Sequence, residues 1–413
     1  MRRMSPSEWI ALVLRLTHVI AGVAWIGSSF YFIWLDQHLE RVSAGSAEAA
    51  RDPALEGSLW MVHSGGFYRV ERRRIGPGAM PATLHWFKWE AAITWMSGVA
   101  LLGLLYYGTH GLYLTDPTVS GLSRGAAVLL GIGFLVGGQV VYDAIWRWAG
   151  ETRRVAGTVV SLAALVAAIV VLCQTLSGRA AYLHVGAILG TIMVNNVWAH
   201  ILPAQSRMIR ATEEGRTPDF SLAEKAKIRS VHNSYLTFPV LFTMLSNHYP
   251  GTWGTPHRAL VLVLLIAIGM GARHLMIGRG RRRFAWAAPM AAAAAVAVVL
   301  SAPARLEGGA AAPTPAVVAA LDGEGEAPAF AEVQAVMMSR CVACHATAPR
   351  IASFGAAPGG VNLEDPVQIV RHAARIRERV VTTQTMPLGN MTAMTPEERV
   401  LIARWIGHGA KAP

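Results

Sequence analysis

Residues 155–202 read VAGTVVSLAALVAAIVVLCQTLSGRAAYLHVGAILGTIMVNNVWAHIL, two apolar runs of about 20 residues joined by the polar turn Ser177-Gly178-Arg179. A helix rises about 1.5 Å per residue, so such a run matches the roughly 30 Å hydrocarbon layer of a bilayer. So short a turn makes the two runs neighbours that cross in opposite directions. Working outward, comparable windows fall at 9–35, 85–107, 125–147, 231–249, 259–277 and 284–302, which with the first pair makes eight spans. The sixth holds polar residues and Pro239, so as a span it must face the bundle interior or a cavity. The first runs from near Trp9 to about Leu35, longer than a signal-peptide core, and reads as a retained helix.

Composition agrees. The chain of 413 residues is 53% hydrophobic and 15% charged, and the charged share is too low for an ordinary soluble domain. A net charge of +12 would suit a nucleic-acid partner, but the basic residues stand in short clusters beside the apolar runs, so no nucleic-acid partner is expected. Twenty Lys and Arg lie at or in the connections after odd-numbered spans, whereas the N-terminal tail and the connections after the second, fourth and sixth spans hold five. The positive-inside rule then places both termini on the periplasmic side of a bacterial inner membrane, in a multi-pass bundle over residues 1–302.

The stretch 303–327, rich in Ala, Pro and Gly, reads as a flexible linker, and 328–413 as a soluble module. Within the module Cys341, Cys344 and His345 form C-x-x-C-H. Two thiols at this spacing can add to haem vinyl groups while the adjacent histidine reaches the iron, so the module is read as a small class I-like cytochrome c domain with one covalent haem c. Met386, followed by Pro387, is the expected second axial ligand, with Met391 and Met394 as alternatives. No second cysteine pair completes a zinc site, and Cys173 stands alone in an apolar run as a small core residue. Thr395, Pro396 and Glu398 have the pattern of an N-cap, an N1 proline and a capping-box glutamate opening a terminal helix.

One haem domain needs a single anchor, so the bundle is expected to have an activity of its own. Polar groups are costly in lipid and histidines there have partners, ligands or protons to handle; His18, His184 and His232 lie inside spans and His85 at the mouth of the second. His18 and His184 are each followed by small residues, which would admit a flat cofactor, and a haem b between them is one reading. Plain interhelical hydrogen bonding is the other. In the first long connection Gly65 and Gly66 permit close approach, Phe67 and Tyr68 offer stacking faces, and Arg69, Arg72 and Lys88 offer charge for an anion. Glu90 is a candidate proton acceptor.

The segments HSGGFYRVERRR (63–74), LHWFKWEAAITWMSG (84–98), HVGAILGTIMVNNVWAHILPAQ (184–205) and HNSYLTFPVLFTMLSNHYP (232–250), ahead of the CVACH motif, closely resemble the membrane-bound, cytochrome c-fused urate oxidase family. The resemblance covers nearly the whole chain apart from the linker. It implies oxidation of urate to 5-hydroxyisourate, with electrons leaving through haem c to a respiratory acceptor such as cytochrome c oxidase or a soluble cytochrome c, and without peroxide. It carries no catalytic residue assignment. A quinol-to-cytochrome c electron-transfer protein and a redox-regulated transporter are the alternatives left by the residues themselves.

Overall fold

The computed structural model describes residues 6–43, 45–108, 113–116, 119–278, 281–301, 314–350, 357–390 and 392–412. Helix α1 (Pro6–His38) is followed by strand β1 (Glu40–Arg41), the short α2 (Ala47–Arg51) and a hairpin of β2 (Leu55–His63) and β3 (Gly66–Arg73). Helix α3 (Trp89–Leu102) continues as a wide π turn over Gly103–Tyr107. Then come α4 (Arg124–Ala149), α5 (Arg154–Thr175) and α6 (Gly178–Asn195), the last prolonged through a second π turn, Asn196–Ile201, into α7 (Leu202–Glu213). Helices α8 (Phe220–Leu245), α9 (Pro250–Trp253), α10 (Arg258–Ile277) and α11 (Ala287–Ser301) complete the bundle. Ser123, Ser177 and Asp219 cap α4, α6 and α8 by accepting from backbone N–H groups of the first turn.

Among the described residues seven helices are long and apolar enough to cross a membrane. Helix α8, which holds most of the sixth run expected to span, lies outside that set because it is polar. It runs antiparallel to α6: Gly186 faces Thr243 and Asn196 bonds Asn233. A Cβ on Gly186 would come within 2.0 Å of Thr243 Oγ1, so only glycine lets these helices meet so closely. Arg179 to Asn247 (2.9 Å) and Thr255 to the Leu300 carbonyl (2.8 Å) tie one end of the bundle, called proximal here. Gln37 to the Ile277 carbonyl (2.9 Å) ties the other, distal end. Tyr182, Val185, Leu172 and Leu262 are sealed at the centre, and Cys173 packs with them.

The sheet departs from the all-α expectation. Strand order is β1-β2-β3, antiparallel, with Trp60 opposite Arg69, Met61 opposite Tyr68 and Val62 opposite Phe67. The arginines and glutamates of the segment mask its period-two alternation, so the sequence reads as a loop.

The C-terminal module has its own core. It contains α12 (Pro315–Leu321), α13 (Phe330–Arg340), α14 (Pro366–Arg371), α15 (Ala373–Ile376), a π turn over Arg377–Thr382 and α16 (Pro396–Gly407), closing on Val333, Met337, Ile369, Ile402 and Trp405. Helix α12 falls inside the stretch expected to be a flexible linker, yet Val317 and Ala320 are buried against α16; residues 303–313 lie outside the described residues. The capping box opening α16 has the geometry expected, with Thr395 accepting from the Glu398 N–H and Glu398 accepting from the Thr395 N–H. The module sits at the proximal end, where a Cβ on Gly254 would lie 3.4 Å from Thr385 Cγ2.

Candidate functional site

A cavity of about 820 Å³ opens in the distal half of the bundle, between α1, the segment 84–87, α7 and α8. Trp25, Phe32, Trp86 and Phe87 give it aromatic walls; Ser28, Gln205, Asn233, Ser234 and Thr237 add hydrogen-bonding groups, with His85 and Lys227 also lining it. A larger groove of about 1250 Å³ between α4, α5 and α8 is walled mainly by Leu, Ala, Val and Gly, with Tyr142, Arg154, Ser161, Glu224, Lys227, Tyr235 and the sequence-predicted His232 among its polar lining.

Behind the first cavity lies a buried polar network. Asn233 Nδ2 donates to the Met193 carbonyl (2.9 Å), and its Oδ1 accepts from Asn196 Nδ2 (2.9 Å). Asn196, fully buried at the start of the second π turn, also donates to Tyr142 Oη (3.1 Å) and accepts from Arg229 (3.3 Å). Tyr142 in turn donates to His232 Nδ1 (2.7 Å), whose ring packs on Trp146. Arg229 pairs with Asp143 at 3.1 Å, and Asp143 also accepts from Gln139 (2.9 Å), Asn195 (3.3 Å) and His200 Nε2 (3.0 Å). An isolated charge inside an apolar bundle would be prohibitive; here each is paired and hydrogen-bonded. The π turn, a wider turn common at functional sites, begins at Asn196 and holds His200, and so brings both into this network.

The network holds His232 and His200, but its central pair, Asp143 and Arg229, was not among the sequence-predicted site residues. Asp143 had a signal, being the one acid between Arg124 and Ala149. Arg229 was absorbed into the charge count that oriented the bundle. Of the predicted residues only His85 lines the cavity. Glu90 opens α3 directly after the lining segment, and its Oε2 is buried without a hydrogen-bond partner among the described residues. Lys88 sits over the rings of Trp86 and Trp89 (5.6 and 5.8 Å). Phe67, Tyr68 and Arg69 are on the hairpin, away from the cavity lining: Phe67 is 81% exposed, and Arg69 pairs with Glu71 (3.2 Å) and lies over Trp60. Arg72 is spent on Asp36 and Glu56.

His18 and His184 serve different neighbours. His18 Nδ1 donates to the Thr94 carbonyl on α3 (2.8 Å). His184, fully buried, donates from Nδ1 to the Ala180 carbonyl (2.8 Å), which leaves Nε2 to accept from Tyr107 Oη (3.0 Å). With both nitrogens of His184 engaged, the pair does not fit the ligand set of a haem b.

The C-terminal residues do fit a covalent haem. Cys341, Cys344 and His345 follow α13 on one tight turn, the Cys344 and His345 N–H groups both bonding the Cys341 carbonyl. His345 Nδ1 donates to the Val361 carbonyl (3.0 Å), which fixes the ring and leaves Nε2 for iron. Burial lowers the His345 pKa and pushes the Cys341 thiol up to about 12. Met386 packs at the edge of the module core, its backbone pinned by the Arg379 carbonyl and by Arg399. Met394 is buried in the core and Met391 lies outside the described residues.

Fold and site together define a helical bundle with seven helices of membrane-spanning length and apolarity among the described residues, a polar cavity and an appended helical module. Residues 5–304, the entire bundle, match the urate oxidase N-terminal family, and the chain belongs to it. No curated protein and no solved structure matches the chain.

Proposed function

We propose that the chain is a bacterial inner-membrane oxidoreductase that oxidises urate to 5-hydroxyisourate in the distal cavity. The observation that carries this reading is the cavity itself, aromatic-walled and edged with amides and hydroxyls, inside a bundle of the urate oxidase N-terminal family. Urate is a flat heterocycle with amide-like edges, largely anionic at neutral pH. Trp25, Phe32, Trp86 and Phe87 supply stacking faces, Asn233 and Gln205 hydrogen bonds, and Lys227 a positive charge. Urate and one water give 5-hydroxyisourate, two protons and two electrons. Glu90, with its unpartnered Oε2, is the candidate proton acceptor.

Cys341, Cys344, His345 and Met386 would hold haem c, which when bound supplies one-electron chemistry and an exit to an acceptor such as cytochrome c oxidase or a soluble cytochrome c. Cavity and module occupy opposite ends of the bundle, so this reading requires electrons to traverse roughly 30 Å of apolar thickness. The ring chain His184, Tyr106 and Tyr113 (centroids 6.4 and 5.8 Å apart) bridges the proximal part of that distance. The twenty-to-five distribution of basic residues supports a periplasmic module.

The test is to add urate to the oxidised, purified chain and follow both the haem absorption band and 5-hydroxyisourate. Reduction by urate and not by a hydroquinone is expected. Reduction by hydroquinone alone would replace this reading with quinol-to-cytochrome c electron transfer.

A further inference from the structure

The hairpin that carries Phe67 and Tyr68 lines no part of the cavity, and its direction gives it another role. Helix α1 leads the chain out of the bundle at the distal end, and β1 follows after the single residue Leu39. Strand β2 pairs antiparallel with β1, Glu40 opposite Ser58 and Arg41 opposite Gly57, so β2 runs back toward the bundle. Side-chain contacts give the same direction. Near the hairpin base Arg72 pairs with Asp36; four residues beyond its partner Gly57, Met61 Sδ meets Tyr31 Oη at 3.5 Å, five residues earlier in α1.

That contact lies at the level where α3 begins, since the next residue, Phe32, packs on Phe87 (5.4 Å), two residues before Trp89. From Met61 to the Ser64 turn the strand adds about 10 Å at ~3.3 Å per residue. The tip therefore rises past the distal rim alongside α1. It presents Trp60, Val62 and Phe67 on one face, with Arg69 opposite Trp60 at the base of that face and paired with Glu71, and Tyr68 beside Met61 on the other. All four aromatic and aliphatic residues are at least half exposed, and from Trp60 to Tyr68 the segment carries no Lys, Arg, Asp or Glu.

We propose that this hairpin is an interfacial wedge, its apolar tip seated at the headgroup–acyl boundary of the leaflet at the distal end. The occupant of the exposed face is the bilayer, because the strand direction takes the face to the level of the helices' apolar surface. Tyr and Trp belong at that boundary. The two strands satisfy one another's backbone groups, but their outer edges do not, which stops the tip at the boundary rather than in the hydrocarbon. Arg69, Arg72, Arg73 and Arg74 are paired with Asp36, Asp52, Glu56 and Glu71, so the contact is apolar rather than a basic patch on anionic lipid.

The inference is independent of the reaction and is tested on the full chain in lipid nanodiscs. A nitroxide is attached at Phe67→Cys, at Val62→Cys and, as a wet reference, at Ser46→Cys beside α2, with the unsubstituted chain as background for the native cysteines. Relaxation by dissolved oxygen is compared with relaxation by a water-soluble nickel chelate. A ratio of oxygen to chelate accessibility several-fold higher at either tip site than at the reference is expected. Equal ratios would put the tip in water and overturn the proposal. Protection from both reagents would do so too, since a second copy or another protein would then cover the tip. Two tip sites are used so that misfolding of one variant leaves the other informative.

Discussion

Arg229 reaches from α8 to Asp143 on α4 at 3.1 Å, with side chains only 10% and 16% exposed. Removing one member of a buried pair strands the other charge, at a cost of about 3–5 kcal/mol. Asp143→Asn and Arg229→Gln should each lower the thermal midpoint of the purified chain in detergent. The double variant should recover much of that loss, because no charge is left alone. Equal additive losses would show that the two side chains are not coupled.

Gly131 tests the environment of His184. A Cβ there would lie 2.7 Å from His184 Nε2 and 2.8 Å from Tyr107 Oη, so Gly131→Ala must displace a sealed hydrogen-bonded pair. Overpacking of this kind costs about 1–3 kcal/mol. Gly133, two residues on, has nothing within 4 Å of its would-be Cβ. Gly133→Ala should be neutral or stabilising by up to ~1 kcal/mol, the helix preference of alanine over glycine. Thermal melts of the two variants should move in opposite directions or differ clearly in size.

The contrast between what could and could not be read follows from range. Seven of the eight apolar runs and the Thr395–Glu398 cap are properties of consecutive residues, and they appear in the structure as the sequence implied, whereas the sixth run falls in the longer, polar α8. The cavity is made by α1, the 84–87 segment, α7 and α8, residues over 200 positions apart in sequence, which no local pattern joins. Phe67 and Arg69 suit both an anion site and the interfacial hairpin proposed above, because aromatic and basic residues beside glycines serve either. Only strand direction separates the two. Arg229 illustrates the same limit, since a buried partner on another helix converts an apparent topology signal into half of an ion pair.

The module allows the proposed iron ligand to be separated from its neighbours. Methionine ligation raises haem potential, so Met386→His should lower the reduction potential measured by redox titration of the purified chain. Met394→Leu conserves volume at a buried core position and should leave that potential in place at a stability cost under about 1.5 kcal/mol. A potential that falls in Met394→Leu and stays in Met386→His would exchange their roles.

Asn233 joins the cavity to the buried network, with Nδ2 on the Met193 carbonyl and Oδ1 on Asn196. An alanine there removes a polar group from the cavity wall and leaves both the Met193 carbonyl and one Asn196 N–H without their partner, each worth about 1–3 kcal/mol when buried. Asn233→Ala should therefore weaken urate turnover by roughly ten- to hundred-fold in kcat/KM, 1.4 kcal/mol being tenfold. Lys227→Ala, which removes a charge at the cavity without disturbing the network, should act mainly on KM. Steady-state kinetics of 5-hydroxyisourate formation by the two variants decide the matter. Unchanged kcat/KM in Asn233→Ala would move the reaction out of this cavity.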